Sequence, residues 1–260
     1  MLRPSLTLAL GFLFSSSLQA GVPEPLDEAF QKLARDNGSW AYTQVSVSVD
    51  KDGKRGPETV FVFDPSKPFP EQFTPLKIKG QPPTEKQLAQ YRRMGEARER
   101  RLERQTDSAR DELLRLNVSG RWVIVDLEHA TVTETKAAAL VYDIPLLPDG
   151  PGGLPVDQFR LVAHVNKADR VFEQAEITLR SPLKLGTFAK LNALSYAFGF
   201  ARVDEKYSPA PTALHIDLSG AMFFFGRRDV TDITRRDFRH VTPYRSRFDV
   251  KIGPMRTIDF

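Results

Sequence analysis

Two neighbouring segments of this 260-residue chain alternate apolar and polar residues, and this alternation constrains the fold more than any other feature. The first segment places an apolar residue at every second position: Phe159, Leu161, Ala163 and Val165. The second segment does the same with Ala175, Ile177 and Leu179. A period of two is typical of a β-strand with one dry and one solvated face. Because only a short polar turn at Asn166–Asp169 interrupts the pattern, the sequence predicts an antiparallel hairpin.

Other segments with strand patterns lie on both sides of this hairpin. Val45, Val47 and Val49 alternate with polar residues, and the remaining segments are predominantly apolar: Thr59–Phe63, Phe73–Ile78, Trp122–Leu127, Ala139–Ile144 and Leu214–Phe224. The tail from Arg227 onward is expected to supply the last strand or two. Successive strands joined by short turns favour an antiparallel meander. Several strands look dry on both faces, so helices, a folded-back sheet or a bound apolar ligand must cover the second face.

Two segments have the helical spacing of apolar residues. The first contains Leu26, Ala29, Phe30 and Leu33, and we expect it to end near Gly38, with that glycine in the left-handed conformation. The second contains Phe188, Leu191, Leu194 and Phe198, which predicts a helix over this range.

Residues 84–117 form a charged insertion that is predicted to be mostly helical. The part from Arg92 to Arg115 contains eight arginines and six acidic residues, but few apolar ones. Such a helix has a narrow dry stripe and a highly solvated surface. It is therefore either a mobile or partner-binding arm, or a helix that lies across the sheet through Leu88, Tyr91 and Met94.

The first twenty residues have the layout of a secretory signal. Arg3 precedes an apolar stretch at Leu6–Leu18, and Ala20 provides a small residue for cleavage. The stretch is shorter than the roughly 20 residues needed to span a bilayer, which favours a signal over an uncleaved anchor. We expect export to the periplasm, cleavage after Ala20, and one domain over residues 21–260.

Composition narrows the function classes for the mature chain. It has no cysteine, which excludes disulfides and a lipid-modified N-terminal cysteine. Without Arg3, 36 basic residues stand against 33 acidic ones, a mild excess that predicts no nucleic-acid binding but allows peripheral contact with an anionic membrane. We expect a soluble or peripheral protein.

Motifs for catalysis and cofactors are weak. Asp126 and Glu128 are expected on one strand face beside His129, which could serve as an acid–base pair in a hydrolase, a third and minor hypothesis. His164 and His215 fall on the polar faces of predicted strands, and His240 is remote in sequence, so no zinc pattern emerges. The sequence contains no phosphate-binding loop or dinucleotide fingerprint. We expect a non-enzymatic protein without a cofactor or metal.

Two stretches, FVFDPSKPFPEQFTPLKIKGQPPTEKQ and RLVAHVNKADRVFEQAEITLRSP, carry a resemblance to a known group. Together with the order of elements, they resemble the periplasmic lipoprotein carriers, the outer-membrane lipoprotein sorting (LolA/LolB-like) superfamily. The resemblance implies an α+β, mostly antiparallel fold: a curved, unclosed β-barrel packed on helices, here with a long charged helical insertion. It also implies an apolar cavity for acyl chains.

The leading functional hypothesis is therefore a non-catalytic periplasmic protein that binds a lipid, a lipoprotein acyl chain or another amphiphile. The alternative is a structural or interaction module of the cell envelope that meets a protein partner through the arginine-rich helix or tail. Residues that keep one parity along their strands are the expected lining of the cavity: Val45, Val47, Leu161, Ile177, Leu179, Leu214, Ile216 and Phe224.

Overall fold

The computed structural model describes residues 21–50, 52–104, 114–118, 121–149, 155–184, 189–222 and 225–247. The predicted signal peptide and Phe224 lie outside these ranges. The described helices are α1 (Glu24–Asn37) and α2 (Glu85–Arg104). The described strands are β1 (Trp40–Val49), β2 (Thr59–Phe63), β3 (Phe73–Lys77), β4 (Arg115–Val118), β5 (Arg121–Val125), β6 (Thr131–Thr135), β7 (Ala139–Ile144), β8 (Leu146–Pro148), β9 (Phe159–Asn166), β10 (Phe172–Leu179), β11 (Leu183–Lys184), β12 (Ala189–Ala201), β13 (Ala210–Met222) and β14 (Phe225–His240).

One large antiparallel sheet dominates the described chain. Its strands follow the order β3-β2-β1-β14-β13-β12-β10-β9-β7-β6, and β11 adds to β12. A second sheet of three strands has the order β4-β5-β8. The large sheet is unclosed, with β3 and β6 at its two ends in the part of the chain that the structure describes. A twisted sheet of this width curls, so the expected α+β fold class, an open half-barrel packed on helices, is confirmed.

The register divides the large sheet into two faces, because directly paired residues point to the same side. One row passes from Ala163 through Ala175 and Phe198 to Leu214 and Ile233. We call the side that carries this row the inner face. The other side carries polar side chains that contact one another across strands: Arg160 forms an ion pair with Asp143, Arg228 forms one with Asp217, and His215 Nδ1 lies 2.8 Å from Asp232 Oδ1. On β7, β9, β13 and β14 this outer face is therefore solvated, whereas Val47 of β1 and Val60 of β2 are buried on the same side of the sheet.

The main core lies between the inner face and a cover made of α1 and the small sheet. From α1, Leu26 is fully buried, and from β5, Val123 is fully buried. They meet Tyr142 and Ile144 of β7 and the apolar row of β9. Burying a side chain of this size stabilises the fold by about 1.5–3 kcal/mol, so the cover is held mainly by apolar contact.

The charged insertion is only partly the predicted helix. Helix α2 packs against β3 and the short turn Phe69–Glu71, while Arg115–Val118 forms strand β4 instead of helix. Residues 105–113 lie outside the described ranges. The stripe expected at Leu88, Tyr91 and Met94 is also wrong in part, because Met94 is 53% exposed whereas Gly95 and Leu102 are buried. A spacing of three and four residues runs through Leu88, Tyr91, Gly95, Arg98 and Leu102 instead.

The predicted helix at Phe188–Phe198 is wrong, because residues 189–198 belong to strand β12, paired with β10 on one side and β13 on the other, while Phe188 lies outside the described residues. A β-bulge between Leu191 and Ala193 adds one residue to the strand. Leu191 and Leu194 are consequently both buried although they are three residues apart. The bulge therefore produced an apolar spacing that imitates a helix. Gly220 lies opposite, where a Cβ would stand 2.9 Å from the Lys190 carbonyl oxygen.

Other expectations hold in outline. The hairpin of β9 and β10 and the strands β2 and β7 have the predicted positions, and β14 is the strand expected in the tail. Helix α1 ends near Gly38, but this glycine has φ −73° and is not left-handed. None of the helices in the described ranges is both long and apolar enough to cross a membrane.

Candidate functional site

An apolar cavity of about 240 Å³ lies between α1 and the inner face of the sheet. We call it the α1 cavity. Its polar lining residues are Asn37 and Arg235. The other residues that line it come from both helix and sheets: Phe30, Leu33, Leu116, Val125, Ile144, Leu161, Ala163, Phe172, Ala175, Ile177, Phe198, Phe200 and Pro211. A concave apolar space with few polar groups is typical of a small-molecule binding site.

Small side chains in the sheet create room beneath the helix. Ala163 and Ala175 are direct partners across β9 and β10, and Ala175 also faces Phe198 of β12. Two facing alanines leave space that larger residues would fill, whereas the flanking pair of Leu161 and Ile177 closes the floor. The alternation of the predicted hairpin thus supplies the wall. The facing alanines are the sequence signal for the cavity itself, and sequence reasoning missed them.

Helix α1 is fixed over the cavity at two places. The rings of Phe30 and Phe172 meet edge to face with their centroids 5.1 Å apart. At the end of the helix, the backbone N–H of Ser208 donates to Asp36 Oδ2 at 2.8 Å, and the Ser208 hydroxyl donates to the carbonyl oxygen of Lys32. Both bonds connect α1 to the loop between β12 and β13, so the helix and the sheet form one stable frame.

The Asp36 carboxylate is buried, with 3% exposure. Burial raises its pKa, but hydrogen bonds from Arg35 and Ser208 and the charge of Arg35 lower it more, so the pKa lies below its ordinary value. Asp36 is therefore ionised at neutral pH and keeps its hydrogen bond from the Ser208 backbone N–H.

Arg235 lies on the inner face of β14 and lines the cavity from that strand. Its Nε donates to Gln44 Oε1 at 3.0 Å, and its Nη1 donates to the carbonyl oxygen of Pro211 at 3.3 Å. The guanidinium carbon also lies 4.7 Å from the centre of the Tyr42 ring. These contacts hold one face and one edge of the guanidinium group at the boundary of a mostly apolar lining.

Aromatic side chains continue the inner face beyond Arg235. Tyr42 packs against Phe63 and Phe238, with ring centroids 5.2 Å and 5.7 Å apart. Burial raises the pKa of the Tyr42 hydroxyl, against the opposing charges of Arg235 and Arg98. Tyr42 is therefore neutral at physiological pH. Its contacts with Phe63 and Phe238 show that the α2 end of the inner face is filled with side chains.

The structure brings together some of the residues expected to line a cavity. Leu161 and Ile177 line the α1 cavity. Leu179, Leu214 and Ile216 share the inner face by register, but they are not among the residues that line this cavity. Phe224 lies outside the described residues.

Val45 and Val47 lie on the opposite side of the sheet. They pair with Thr234 and Asp232 of the outer row, while Ser46 and Ser48 of the same strand belong to the inner face. They do not line the α1 cavity, because the apolar parity of β1 is opposite to that of β9.

Of the residues considered for catalysis after β5, Glu128 and His129 are exposed and Asp126 is half-buried. Strand β5 ends at Val125, so Asp126, Glu128 and His129 form a turn instead of the expected shared strand face. Asp126 Oδ1 accepts a hydrogen bond from the His129 backbone N–H, and Asp126 Oδ2 lies 2.8 Å from His129 Nδ1, an arrangement that stabilises the turn. His164 and His215 lie on the outer face, and His240 stacks on Tyr207. No cluster of metal-binding side chains occurs among the described residues.

Comparisons with known proteins found a likeness in structure but none in sequence. No protein-family model and no curated protein sequence matches the chain significantly. The crystal structure of a LolA superfamily protein from Nitrosomonas europaea is similar over 89% of this chain and 98% of its own, with 12% identity and a TM-score of 0.38. The likeness gives no information on a ligand or an activity of the present chain.

Proposed function

We propose that this protein is a non-catalytic, exported binding protein that buries an acyl chain of a lipid, lipoprotein or other amphiphile in the α1 cavity. The observation that carries the proposal is the cavity itself: an apolar space within the frame of α1 and the sheet, with Asn37 and Arg235 as its polar lining residues. The sequence resemblance to lipoprotein carriers points to the same class of ligand.

The size of the cavity restricts the ligand. At about 240 Å³ it is slightly below the range of roughly 300–1,000 Å³ found for pockets that hold drug-sized molecules. A narrow, flexible chain suits such a space better than a rigid ring system. Each buried CH₂ group contributes about 0.8 kcal/mol, so an acyl segment of moderate length offsets the cost of association.

A titration with a fluorescent fatty acyl probe tests this function. We expect saturable binding by the wild type in the micromolar range or better. Ala175→Phe places an aromatic ring in the cavity beside Phe198 and should weaken binding at least tenfold. Ala213→Phe, an exposed position on the outer row of β13, is the matched control and should bind like the wild type.

A second pair of variants tests the cavity with a buried charge instead of added side-chain volume. Ile177→Arg introduces a cation into the floor of the cavity, whereas Thr178→Arg places the same side chain one residue further, on the outer face. Circular dichroism confirms that each variant is folded before the titration. Absence of wild-type binding, or equal binding by folded Ala175→Phe and Ala213→Phe, would contradict the carrier function and favour the interaction module.

One observation supports that alternative function. On α2, Arg92, Arg93 and Arg100 are exposed, away from the stripe that packs on β3. A helix with this surface is suited to contact with an acidic envelope partner. Under this alternative the inner face serves only as core, and acyl probes should not bind.

A further inference from the structure

Arg235 occupies an unusual electrostatic position for a residue beside an apolar cavity. In the described part of the chain, it forms hydrogen bonds with neutral acceptors, an amide oxygen of Gln44 and a carbonyl oxygen of Pro211, and it forms no ion pair. Its aromatic neighbour Tyr42 is neutral. The positive charge is therefore partly removed from water without a carboxylate to balance it.

The neighbouring arginines on the same strand show the contrast. Arg228 is paired with Asp217 across the sheet, and Arg236 lies 3.7 Å from Asp237. Both have an acidic partner, although both are more exposed to solvent than Arg235. An uncompensated guanidinium on the inner face is consequently a feature that folding alone does not explain.

The geometry leaves the guanidinium able to bind an anion. The bonds to Gln44 and Pro211 use two of its five N–H donors, and Tyr42 covers a face of the group instead of its donor edge. Among the described residues, no partner takes the remaining donors. A planar fork of N–H groups matches the oxygens of a carboxylate or a phosphate.

We infer that Arg235 is a subsite for the anionic head group of the ligand, so that the protein selects amphiphiles with a carboxylate or phosphate next to a single acyl chain. The acyl chain lies along Phe30, Ala175 and Ile177, and the head group meets Arg235 at the cavity boundary. This inference rests on the proposed function, since the anion is brought to Arg235 by the chain buried beside it.

Three ligands with the same alkyl chain separate the contributions of chain and head group. Dodecanoate, dodecyl phosphate and dodecan-1-ol are each titrated by displacement of the fluorescent acyl probe at neutral pH. We expect at least one anionic ligand to bind about tenfold or more tightly than the alcohol, given the strength of charge-assisted hydrogen bonds. Preference for dodecanoate identifies a fatty carboxylate as the ligand, and preference for dodecyl phosphate identifies a phosphate head group.

Arg235→Gln removes the charge and keeps hydrogen-bonding capacity. It should weaken binding of the preferred anion about tenfold and change dodecan-1-ol binding far less, so that the ratio of the two affinities reports the head-group contact. Arg236→Gln, the adjacent position on the outer row, is the matched control and should have no effect. Arg235→Lys keeps the charge but lacks the planar fork, so its affinity for the preferred anion should lie between those of Arg235→Gln and Arg236→Gln. Arg235→Lys is used in place of Arg235→Gln if that variant does not fold.

The outcomes are distinguishable from failure of the proposed function. If all three ligands bind the wild type equally, or if folded Arg235→Gln and Arg236→Gln behave alike, the anionic subsite is overturned while the acyl-chain function stands. If no ligand binds, including dodecan-1-ol, the proposed function and this inference are both overturned.

Discussion

Gly95 of α2 lies directly against the backbone of Phe69, so that a Cβ atom at Gly95 would stand 2.1 Å from the Phe69 carbonyl oxygen. This close approach brings the helix onto the turn before β3. Beside it, the guanidinium of Arg98 lies 5.7 Å from the ring centre of Phe63 and donates to Gln72 Oε1 at 2.6 Å. The charged insertion is thus held by a glycine contact and an arginine instead of a broad apolar stripe.

Gly95→Ala should destabilise the protein despite the better helix propensity of alanine. The added methyl group cannot fit without movement of the backbone, which costs about 1–3 kcal/mol, against a gain of roughly 1 kcal/mol in propensity. Urea unfolding measures the difference. Gly38→Ala is the matched control, because nothing lies within 4 Å of its Cβ and its φ is −73°, and it should be neutral or slightly stabilising. Equal stability of both variants would contradict the contact.

Helix α2 should exchange its amide hydrogens faster than the hairpin of β9 and β10. Its contacts are with β3 and the turn at Phe69–Glu71, whereas β9 and β10 are each paired on both sides within the sheet. Hydrogen exchange followed by mass spectrometry compares peptides from 85–104 with those from 159–179. Equal protection would show that the insertion opens only when the whole domain unfolds, which would exclude a mobile arm.

The stability of the α1 frame should depend on pH through Asp36. Since its pKa in the folded protein lies below the ordinary value of 3.8, its stabilising effect is complete above that value and is lost as the pH falls below it. Asp36→Asn should lower the free energy of unfolding at pH 7 by about 1–2 kcal/mol, through loss of charge-assisted bonds.

Urea unfolding at pH 7 and at about pH 3 provides the check on Asp36. The gap between the wild type and Asp36→Asn should narrow at the lower pH, because that pH lies below the ordinary carboxyl pKa of 3.8 and the carboxylate becomes protonated in the unfolded chain. A gap that stays constant between the two conditions would show that the charge of Asp36 does not stabilise the fold.

Export remains a prediction from the sequence, because residues 1–20 lie outside the described ranges. The mature protein isolated from the cell envelope should begin at Gly21 on N-terminal sequencing. A protein that retains Met1 and is recovered from the cytoplasm would contradict both the signal and the periplasmic location.

Local patterns predicted the fold well where a strand is regular and sits between two neighbours. Strands β2 and β7 begin and end at the expected residues because their apolar runs are bounded by turns. Prediction failed at β12, because a bulge puts Leu191 and Leu194, which are three residues apart in sequence, on the same buried face of the strand. That spacing is the one expected of a helix. It also failed at Met94, because the packing residue beside it is a glycine, whose lack of a side chain gives no hydrophobic signal.

The cavity could be predicted only in part, since it depends on relations between distant strands. Leu161 and Ile177 were expected because both belong to one clear hairpin. The opposite parity of Val45 and Val47 follows from pairing through β14, which no local pattern shows. Arg235 stands among several arginines of the tail, and only the register distinguishes it from Arg236.

The most direct measurement of the central claim is the position of a photoactivatable fatty acid after crosslinking to the wild-type protein. Peptide mapping by mass spectrometry should locate the label on residues that line the α1 cavity, chiefly Phe30, Leu33, Ala175, Ile177 and Phe198, and excess palmitate should abolish it. Labelling confined to exposed apolar side chains such as Leu76, Met94 and Val132, or labelling that palmitate does not reduce, would contradict an acyl-binding cavity beneath α1.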